Sequence, residues 1–314
     1  MRVNSFDFND ILSSINHIRG GIPALRLSSR IHLGEHRSFF FGPSYDFYDI
    51  QEYDPERDPP NQIIPNFIGP DEDIIYARRC IEQHDVKVML MVDLSSSLDA
   101  GINLVKRRML LEAIGFIGIT ATRYQDPLGL VGFTEKIVLN MPARSGSNNF
   151  FYLFRNVYDF LDRHSVEKNN EKRKTDFFIG LDLIMRTFNK PCLIPVISDF
   201  VDFQKVLNSS ILKSVTSRHE LVFIFLDDPL EFISAKGRDY VSMDNVESGE
   251  HVVVSRKKLP ELEKRLRVDR KELRNKLRRM GIHSVVLEYG VTGRHFNRLH
   301  RFFLARHKLQ GRQI

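Results

Sequence analysis

Three nearly uninterrupted apolar runs, each followed at once by an acidic turn, constrain the fold of this 314-residue chain most strongly. They lie at residues 86–92 (VKVMLMV), 192–197 (CLIPVI) and 221–226 (LVFIFL), and they precede Asp93, Ser198-Asp199 and Asp227-Asp228. Runs of this length and composition predict strands that are buried on both faces. Segments with helical spacing separate them. The sequence therefore predicts an α/β fold, with a doubly wound, mostly parallel sheet that helices cover on both faces.

Weaker patterns complete the predicted architecture. Further strands are predicted at 128–133, 137–141 and 283–287, and a hairpin at 240–254 with its turn at Ser248-Gly249. Helices are predicted at 8–18, 105–124, 150–163, 177–188, 206–215 and 296–307. We expect two parts: an N-terminal arm and β-rich segment at 1–84, and the α/β domain at 85–314. Within that domain, residues 238–280 form an insertion that consists of the hairpin and a basic helix.

The net positive charge of the chain is concentrated in the basic helix. The whole chain carries a net charge of +6, whereas residues 256–279 alone carry twelve Lys or Arg and four Asp or Glu. An apolar stripe runs through this segment at Leu259, Leu262, Leu266, Leu273, Leu277 and Met280, which predicts one buried helical face. The arginines are then best explained as its solvated face. Docking of an acidic protein or lipid, and nucleic-acid binding, are the alternatives, although the helix lacks aromatic residues on which bases would stack.

The sequence carries no signal for secretion or for a membrane span. No apolar run approaches the roughly 18–20 residues that a transmembrane helix needs. The first nineteen residues include Asp7 and Asp10 and have no continuous apolar segment. Two cysteines, Cys80 and Cys192, are too few for a disulfide framework, and we interpret them as reduced thiols. These observations predict a cytoplasmic protein, with peripheral attachment to a membrane left open.

Candidate chemistry concentrates at the end of the first apolar strand, in Asp93-Leu94-Ser95-Ser96-Ser97. One carboxylate and two hydroxyls in an Asp-x-Ser-x-Ser run are hard oxygen donors, which suit Mg²⁺ or Mn²⁺. Thr175 and Asp199 would complete the shell if their segments lie beside that strand, because ligands of open α/β sheets bind at the carboxyl edge. Thr187 and Ser198 are alternatives to Thr175. The competing interpretation is that the serines and Asp199 only cap helices.

At these residues the sequence resembles the von Willebrand factor A fold. The metal-ion-dependent adhesion site of that fold uses Asp-x-Ser-x-Ser, then a Thr, then an Asp after a later strand. Asp93, Ser95, Ser97, Thr175 and Asp199 match the five positions in order. The resemblance therefore implies a Rossmann-like domain that holds Mg²⁺ or Mn²⁺ at these five residues.

Longer segments are similar to the bacterial MoxR-associated branch of this superfamily, known as domain of unknown function 58. The matching segments are GEHRS at 34–38, QEY at 51–53, ISDF at 197–200, DDPLE at 227–231, MDNVESGEHVVV at 243–254 and LHRFFLAR at 299–306. The family usually has Arg-Glu-Tyr, Gly-Asp and Ile-Asp-Trp before the first core strand. This chain has Gln51-Glu52-Tyr53, Glu56-Arg57-Asp58 and Ile64-Pro65-Asn66 there. Many relatives also carry membrane helices, which this sequence lacks.

The resemblance implies a binding protein rather than an enzyme. In this superfamily a partner carboxylate completes the metal shell, and the partner implied here is a MoxR-type AAA+ ATPase, with the chain acting as adaptor or co-chaperone for a client protein. The rival function is a Mg²⁺-dependent phosphoester hydrolase that uses Asp93 and Asp199. Against it, the sequence has no Asp-x-Asp at this strand end, no Gly-x-Ser-x-Gly elbow and no phosphate-binding loop with its lysine.

Overall fold

The computed structural model describes residues 8, 11, 13, 47–55, 60, 63–65, 74–80, 87–99, 105–166, 173–200, 203–227, 240–244, 251–255, 259–288 and 294–310. Their strands are β1 (Phe47–Glu52), β2 (Tyr76–Cys80), β3 (Val88–Asp93), β4 (Leu128–Phe133), β5 (Ile137–Arg144), β6 (Leu193–Ser198), β7 (Glu220–Asp227), β8 (Tyr240–Asp244), β9 (His251–Ser255) and β10 (His283–Glu288). Their helices are α1 (Val105–Arg123), α2 (Ser147–Val166), α3 (Phe177–Thr187), α4 (Gln204–Leu207), α5 (Ser210–Arg218), α6 (Leu259–Arg279) and α7 (Arg294–Gln310).

Six strands form one mixed, mostly parallel sheet in the order β10-β7-β6-β3-β4-β5. β10, β7, β6, β3 and β4 pair in parallel, whereas β5 pairs antiparallel with β4 at the edge. This sheet with its helices confirms the predicted α/β class. The predicted hairpin is present as the antiparallel pair β8–β9, while its turn lies outside the described residues. The helix predicted at 206–215 is instead two short helices, α4 and α5.

Side chains of the central strands alternate between two apolar cores, one on each face of the sheet. Val88, Leu90 and Val92 of β3 belong to the core that includes buried residues of α1, α2 and α7. Met89 and Met91 belong to the other core, which includes buried residues of α3, α5 and α6. Both faces of β3 are therefore covered, which explains why its sequence is apolar without alternation.

The order of the strands places a crevice between β3 and β6. From β3 the chain crosses through α1 to β4 on one side, and it later enters β6 on the other side. The loops that leave β3 and β6 therefore diverge at the carboxyl edge of the sheet. In open α/β sheets, this divergence creates the ligand-binding crevice. Asp93 ends β3, and Asp199 directly follows β6, so both aspartates lie at this position.

The chain divides into two compact units, Arg30–Asp85 and the combination of Met1–Ser29 with Val86–Ile314. The smaller unit contains the antiparallel pair β1–β2. In the larger unit, Phe8 contacts Phe154 and Tyr158 of α2, with ring centroids 5.9 and 5.0 Å apart. The Arg155 guanidinium lies 4.8 Å from the centre of the Phe8 ring. These contacts attach Phe8, which the sequence assigned to the N-terminal arm at 1–84, to α2.

A buried polar contact fastens the C-terminal helix α7 to α1. His295 Nδ1 lies 2.6 Å from Glu112 Oε2, and His295 Nε2 lies 2.8 Å from the Glu288 carbonyl oxygen. Arg108 donates to the other carboxylate oxygen of Glu112 at 3.0 Å. Burial alone lowers the pKa of His295, but its hydrogen bonds with Glu112 and Glu288 outweigh that effect and raise the pKa above its ordinary value. The folded state therefore favours the protonated imidazole.

This contact predicts a pH-dependent stability. The raised pKa of His295 stabilises the folded protein fully below about pH 6.5, the unfolded value, and the contribution is lost as pH rises through the folded value. We expect wild type to exceed His295→Gln in free energy of unfolding by more at pH 6 than at pH 9. Urea unfolding of both proteins at the two pH values measures this. The same difference in free energy of unfolding between wild type and His295→Gln at pH 6 and at pH 9 would contradict this prediction.

Candidate metal centre

The Asp93 carboxylate is the centre of a network at the crevice. It is 1% exposed, because β3 ends with both of its faces covered. The Ser95 amide donates to Oδ1 at 2.9 Å, and the Ser198 hydroxyl donates to Oδ2 at 2.7 Å. The Thr175 hydroxyl lies 3.5 and 3.4 Å from the two carboxylate oxygens. Residues from three separate segments thus converge on one carboxylate.

The serine loop after β3 is fixed by the segment that precedes α3. The hydroxyls of Ser95 and Ser97 lie 2.9 Å apart, and both residues are buried. Between them, the Ser96 amide donates to the Arg173 carbonyl at 3.0 Å, and the Arg173 amide donates to the Ser96 hydroxyl at 2.9 Å. This reciprocal pair holds the backbone of 173–176 against the loop. It explains how Thr175 reaches Asp93 from a distant part of the sequence.

The segment carrying Thr175 is also anchored at its other end. The Asp176 amide donates to the Thr134 carbonyl after β4, and the Asp176 carboxylate accepts from the Phe178 amide as the N-cap of α3. Capping is therefore the role of Asp176, while Thr175 faces the carboxylate of Asp93. Thr187, the alternative considered in the sequence analysis, ends α3 instead of preceding it.

Asp199 leaves β6 through an unusual turn. The next residue, Phe200, has a φ angle of +55°, a left-handed conformation that non-glycine residues adopt at some cost. Its amide donates to the Ser198 hydroxyl at 2.9 Å, and its ring is buried against Phe177, Phe203, Phe223 and Phe225. The aromatic cluster thus holds the turn that places Asp199 beside Asp93.

Lys106, the second residue of α1, brings a positive charge to the same place. Its side chain is fully buried, and its ammonium group donates to Asp199 Oδ2 at 2.9 Å and to the Ser97 carbonyl at 3.3 Å. Lys106 therefore bridges the loops that follow β3 and β6. Lys106 was not predicted as a site residue, because Lys106, Arg107 and Arg108 are consecutive and nothing in the sequence distinguishes which of them reaches Asp199. Arg107 is buried as well, but it donates to the Leu161 carbonyl instead.

The electrostatics of the crevice disfavour a second negative charge. Burial, followed by repulsion from Asp199, raises the pKa of Asp93 to about 7, and hydrogen bonds from Ser198 and Ser95 offset only part of that rise. Two buried carboxylates thus share one crevice at the cost of destabilising the ionised form of Asp93. A cation bound between them would remove that cost.

The structure brings together the residues that the sequence singled out. Asp93, Ser95, Ser97 and Thr175 form hydrogen-bonded contacts, and Asp199 joins them through Lys106 and through its repulsion of Asp93. Ser198, considered only in place of Thr175, also contacts Asp93. Oxygen atoms supply every proposed donor, the chemistry that Mg²⁺ and Mn²⁺ prefer.

Asp227, the third aspartate at a strand end, serves another purpose. It pairs with Arg270 of α6, and this ion pair joins the basic helix to the carboxyl end of β7. Leu273 and Leu277 of α6 are buried, in agreement with the predicted apolar stripe; the side chains of Leu262 and Leu266 lie outside those described.

Among the described residues, no three His, Cys, Asp or Glu side chains cluster as a metal site. Within the same residues, no helix has the length and apolarity to cross a membrane.

Comparisons with known proteins identify a family. No curated protein matches the chain. BatB from Bacteroides thetaiotaomicron is 15% identical, with a TM-score of 0.41 over 71% of this chain and 99% of BatB. An aerotolerance-related membrane protein from Bacteroides fragilis is 15% identical, with a TM-score of 0.43, and the match covers 70% of this chain and 99% of that protein. The PilB minor pilin from Streptococcus sanguinis is 12% identical, with a TM-score of 0.36, and the match covers 78% of this chain and 66% of the pilin. The family model described as "Protein of unknown function DUF58" matches residues 71–276, so the chain belongs to the DUF58 family.

Proposed function

We propose that this protein is a metal-dependent binding module of the von Willebrand factor A type, which captures a carboxylate of a protein partner through a divalent cation at Asp93. The observation that carries the proposal is the convergence of oxygen-bearing side chains from separate segments on one buried carboxylate. The sequence resemblance to the metal-ion-dependent adhesion site supports the same assignment. We further propose that the partner is a MoxR-type AAA+ ATPase and that the chain acts as its adaptor or co-chaperone.

The donor set fits a hard divalent cation. Asp93, Ser95, Ser97, Thr175 and Asp199 would hold Mg²⁺ or Mn²⁺, and Ser198 would orient the Asp93 carboxylate through its hydrogen bond at 2.7 Å. When bound, the cation would supply an open coordination position with a positive charge. Because hydroxyls carry no charge, the chain offers few anionic ligands for that charge. An incoming carboxylate is therefore the favoured additional ligand.

The residues around the site have distinct tasks in this proposal. Asp93 would bind the cation, and the Ser95 amide fixes the direction of the Asp93 carboxylate. The pairing of Ser96 with Arg173 keeps Thr175 in place, so that the segment before α3 and the loop after β3 behave as one rigid rim. Burial of Asp93, Ser95 and Ser96 limits the access of water to the site, which strengthens the attraction between the loaded site and a carboxylate.

A capture experiment tests the proposal with a matched pair of variants. Immobilised full-length protein is offered a purified MoxR-type ATPase with Mg²⁺ or with a chelator. We expect capture with Mg²⁺, loss of capture with the chelator, and a loss of at least about tenfold for Asp93→Ala. Asp182→Asn is the control, because the Asp182 side chain is 45% exposed on α3 and pairs with Arg186 one turn along the same helix. It should bind as wild type does.

Capture that is equal in wild type and Asp93→Ala, or equal with and without chelator, would contradict the proposal. A phosphoester panel separates it from the hydrolase alternative. Turnover that requires Mg²⁺ and disappears in Asp93→Ala would favour the enzyme. Absence of turnover together with Mg²⁺-dependent capture would favour the binding module.

A further inference from the structure

Lys106 is an unusual residue to find fully buried. Its ammonium group contacts Asp199 at 2.9 Å, and the exposed fractions of the two side chains are 0% and 1%. A buried charge is tolerated only with a partner, and the attraction within a buried pair does not always offset the cost of removing both ions from water. The pair is therefore weak evidence of a contribution to stability. Its position beside Asp93 suggests a role in the site.

Among the described residues, three charged side chains contact or repel one another at the crevice: Asp93, Asp199 and Lys106. The two aspartates contribute two negative charges when both are ionised, and Lys106 contributes one positive charge. These three groups together therefore carry −1. A divalent cation brings the sum to +1, and only a further carboxylate brings it to zero. Without Lys106, the cation alone would neutralise the site.

We propose that Lys106 is an internal cation that couples divalent metal binding to carboxylate binding, because it leaves the metal-loaded site one positive charge in excess. This inference rests on the proposed function and specifies its regulation. Lys106 weakens the binding of the metal alone, since like charges repel in a site that excludes water. It strengthens the binding of the metal with an acidic partner. Both ligands are thereby favoured together, which is a positive coupling between two binding events.

The test uses Mn²⁺ and acetate as probes on the full-length protein. Mn²⁺ affinity is measured by electron paramagnetic resonance of the free ion, in sodium acetate and in sodium chloride at equal ionic strength. For wild type, we expect acetate to tighten Mn²⁺ binding by about tenfold, within the usual range of coupling. For Lys106→Met, we expect Mn²⁺ binding in chloride to be at least about tenfold tighter than in wild type, and the effect of acetate to fall below about twofold.

A double variant keeps the test valid if Lys106→Met does not fold. Lys106→Met combined with Asp199→Asn removes both members of the buried pair and leaves the charge sum of the loaded site at +1. We therefore expect it to bind Mn²⁺ more weakly than wild type and yet to retain the acetate effect. Lys213→Met, at an exposed position of α5, should match wild type in both measurements.

The outcomes separate the two proposals. If wild type binds Mn²⁺ and Lys106→Met shows the same affinity and the same acetate effect, the coupling role of Lys106 is wrong and the metal-dependent module stands. If the double variant loses the acetate effect, charge balance is not the cause and the inference is also wrong. If wild type binds no Mn²⁺ in either salt, both proposals are wrong.

Discussion

Replacing Phe200 by alanine is expected to lower the free energy of unfolding by about 3–5 kcal/mol, the usual cost of removing a buried phenylalanine ring. The Phe200 ring is 4% exposed. Its centroid lies 4.8 Å from that of Phe223 and 4.4 Å from that of Phe225. Because these contacts secure the turn that carries Asp199, the loss should also disturb the candidate site. Urea unfolding with linear extrapolation measures the change.

The backbone at this position gives the prediction a sharper form. Phe200 has a φ of +55°, where alanine is strained by about 1–2 kcal/mol and glycine is not. Phe200→Gly should therefore be less destabilising than Phe200→Ala, by about 1 kcal/mol, although glycine is normally the more costly substitution. Phe203 is the matched control, because it belongs to the same cluster, is equally buried and has a φ of −64°.

For Phe203 the usual order should hold, with glycine more destabilising than alanine. The same order at both positions would contradict the claim that the cluster holds Phe200 in a strained conformation. A smaller loss at Phe200 than at Phe203, with alanine and glycine equal, would show that the turn relaxes when the ring is removed.

The α/β class was predictable because three separate strands carry the same apolar pattern. A strand that is covered on both faces must be apolar at consecutive positions, and β3, β6 and β7 all meet that condition. β5 was harder to delimit, since it lies at the sheet edge and is only partly buried. The sequence pattern predicted that β5 ends at residue 141, whereas the strand extends to Arg144.

The oxygen donors of the candidate site were predictable for a different reason. Once the parallel strands were assigned, Asp93 and Asp199 were expected at the same edge of the sheet, and the spacing of Ser95 and Ser97 followed from the motif. That β3 and β6 are neighbours, which brings the two aspartates together, was left open by the sequence. Lys106 and the turn at Phe200 were not predictable. A lysine in the first turn of a helix is ordinarily solvated, and no sequence pattern reports a left-handed phenylalanine. Both depend on contacts between segments that are far apart in the sequence.

Asp93→Asn is expected to stabilise the protein in the absence of divalent cations and to remove its response to them. The folded state raises the pKa of Asp93 from 3.8 to about 7, chiefly by burial and then by repulsion from Asp199. Ionisation of Asp93 therefore costs stability, and this cost grows as pH rises from about 4 to about 7 and stays constant above. Asparagine does not ionise, so the variant should exceed wild type by about 2–4 kcal/mol at pH 8 and by little near pH 4.

Divalent cations should narrow or close that difference in the free energy of unfolding. In the proposed site, Mg²⁺ or Mn²⁺ at about a hundred times its dissociation constant stabilises wild type by about 2.7 kcal/mol and leaves Asp93→Asn unchanged. Urea unfolding at pH 8, with Mg²⁺ and with a chelator, measures both effects on the same proteins, and Asp182→Asn serves as the surface control. A variant less stable than wild type in chelator would contradict the electrostatic argument. An equal gain in the free energy of unfolding from Mg²⁺ in both proteins would contradict the role of Asp93 as a ligand. The destabilisation caused by the ionised Asp93 carboxylate would then have no link to metal binding.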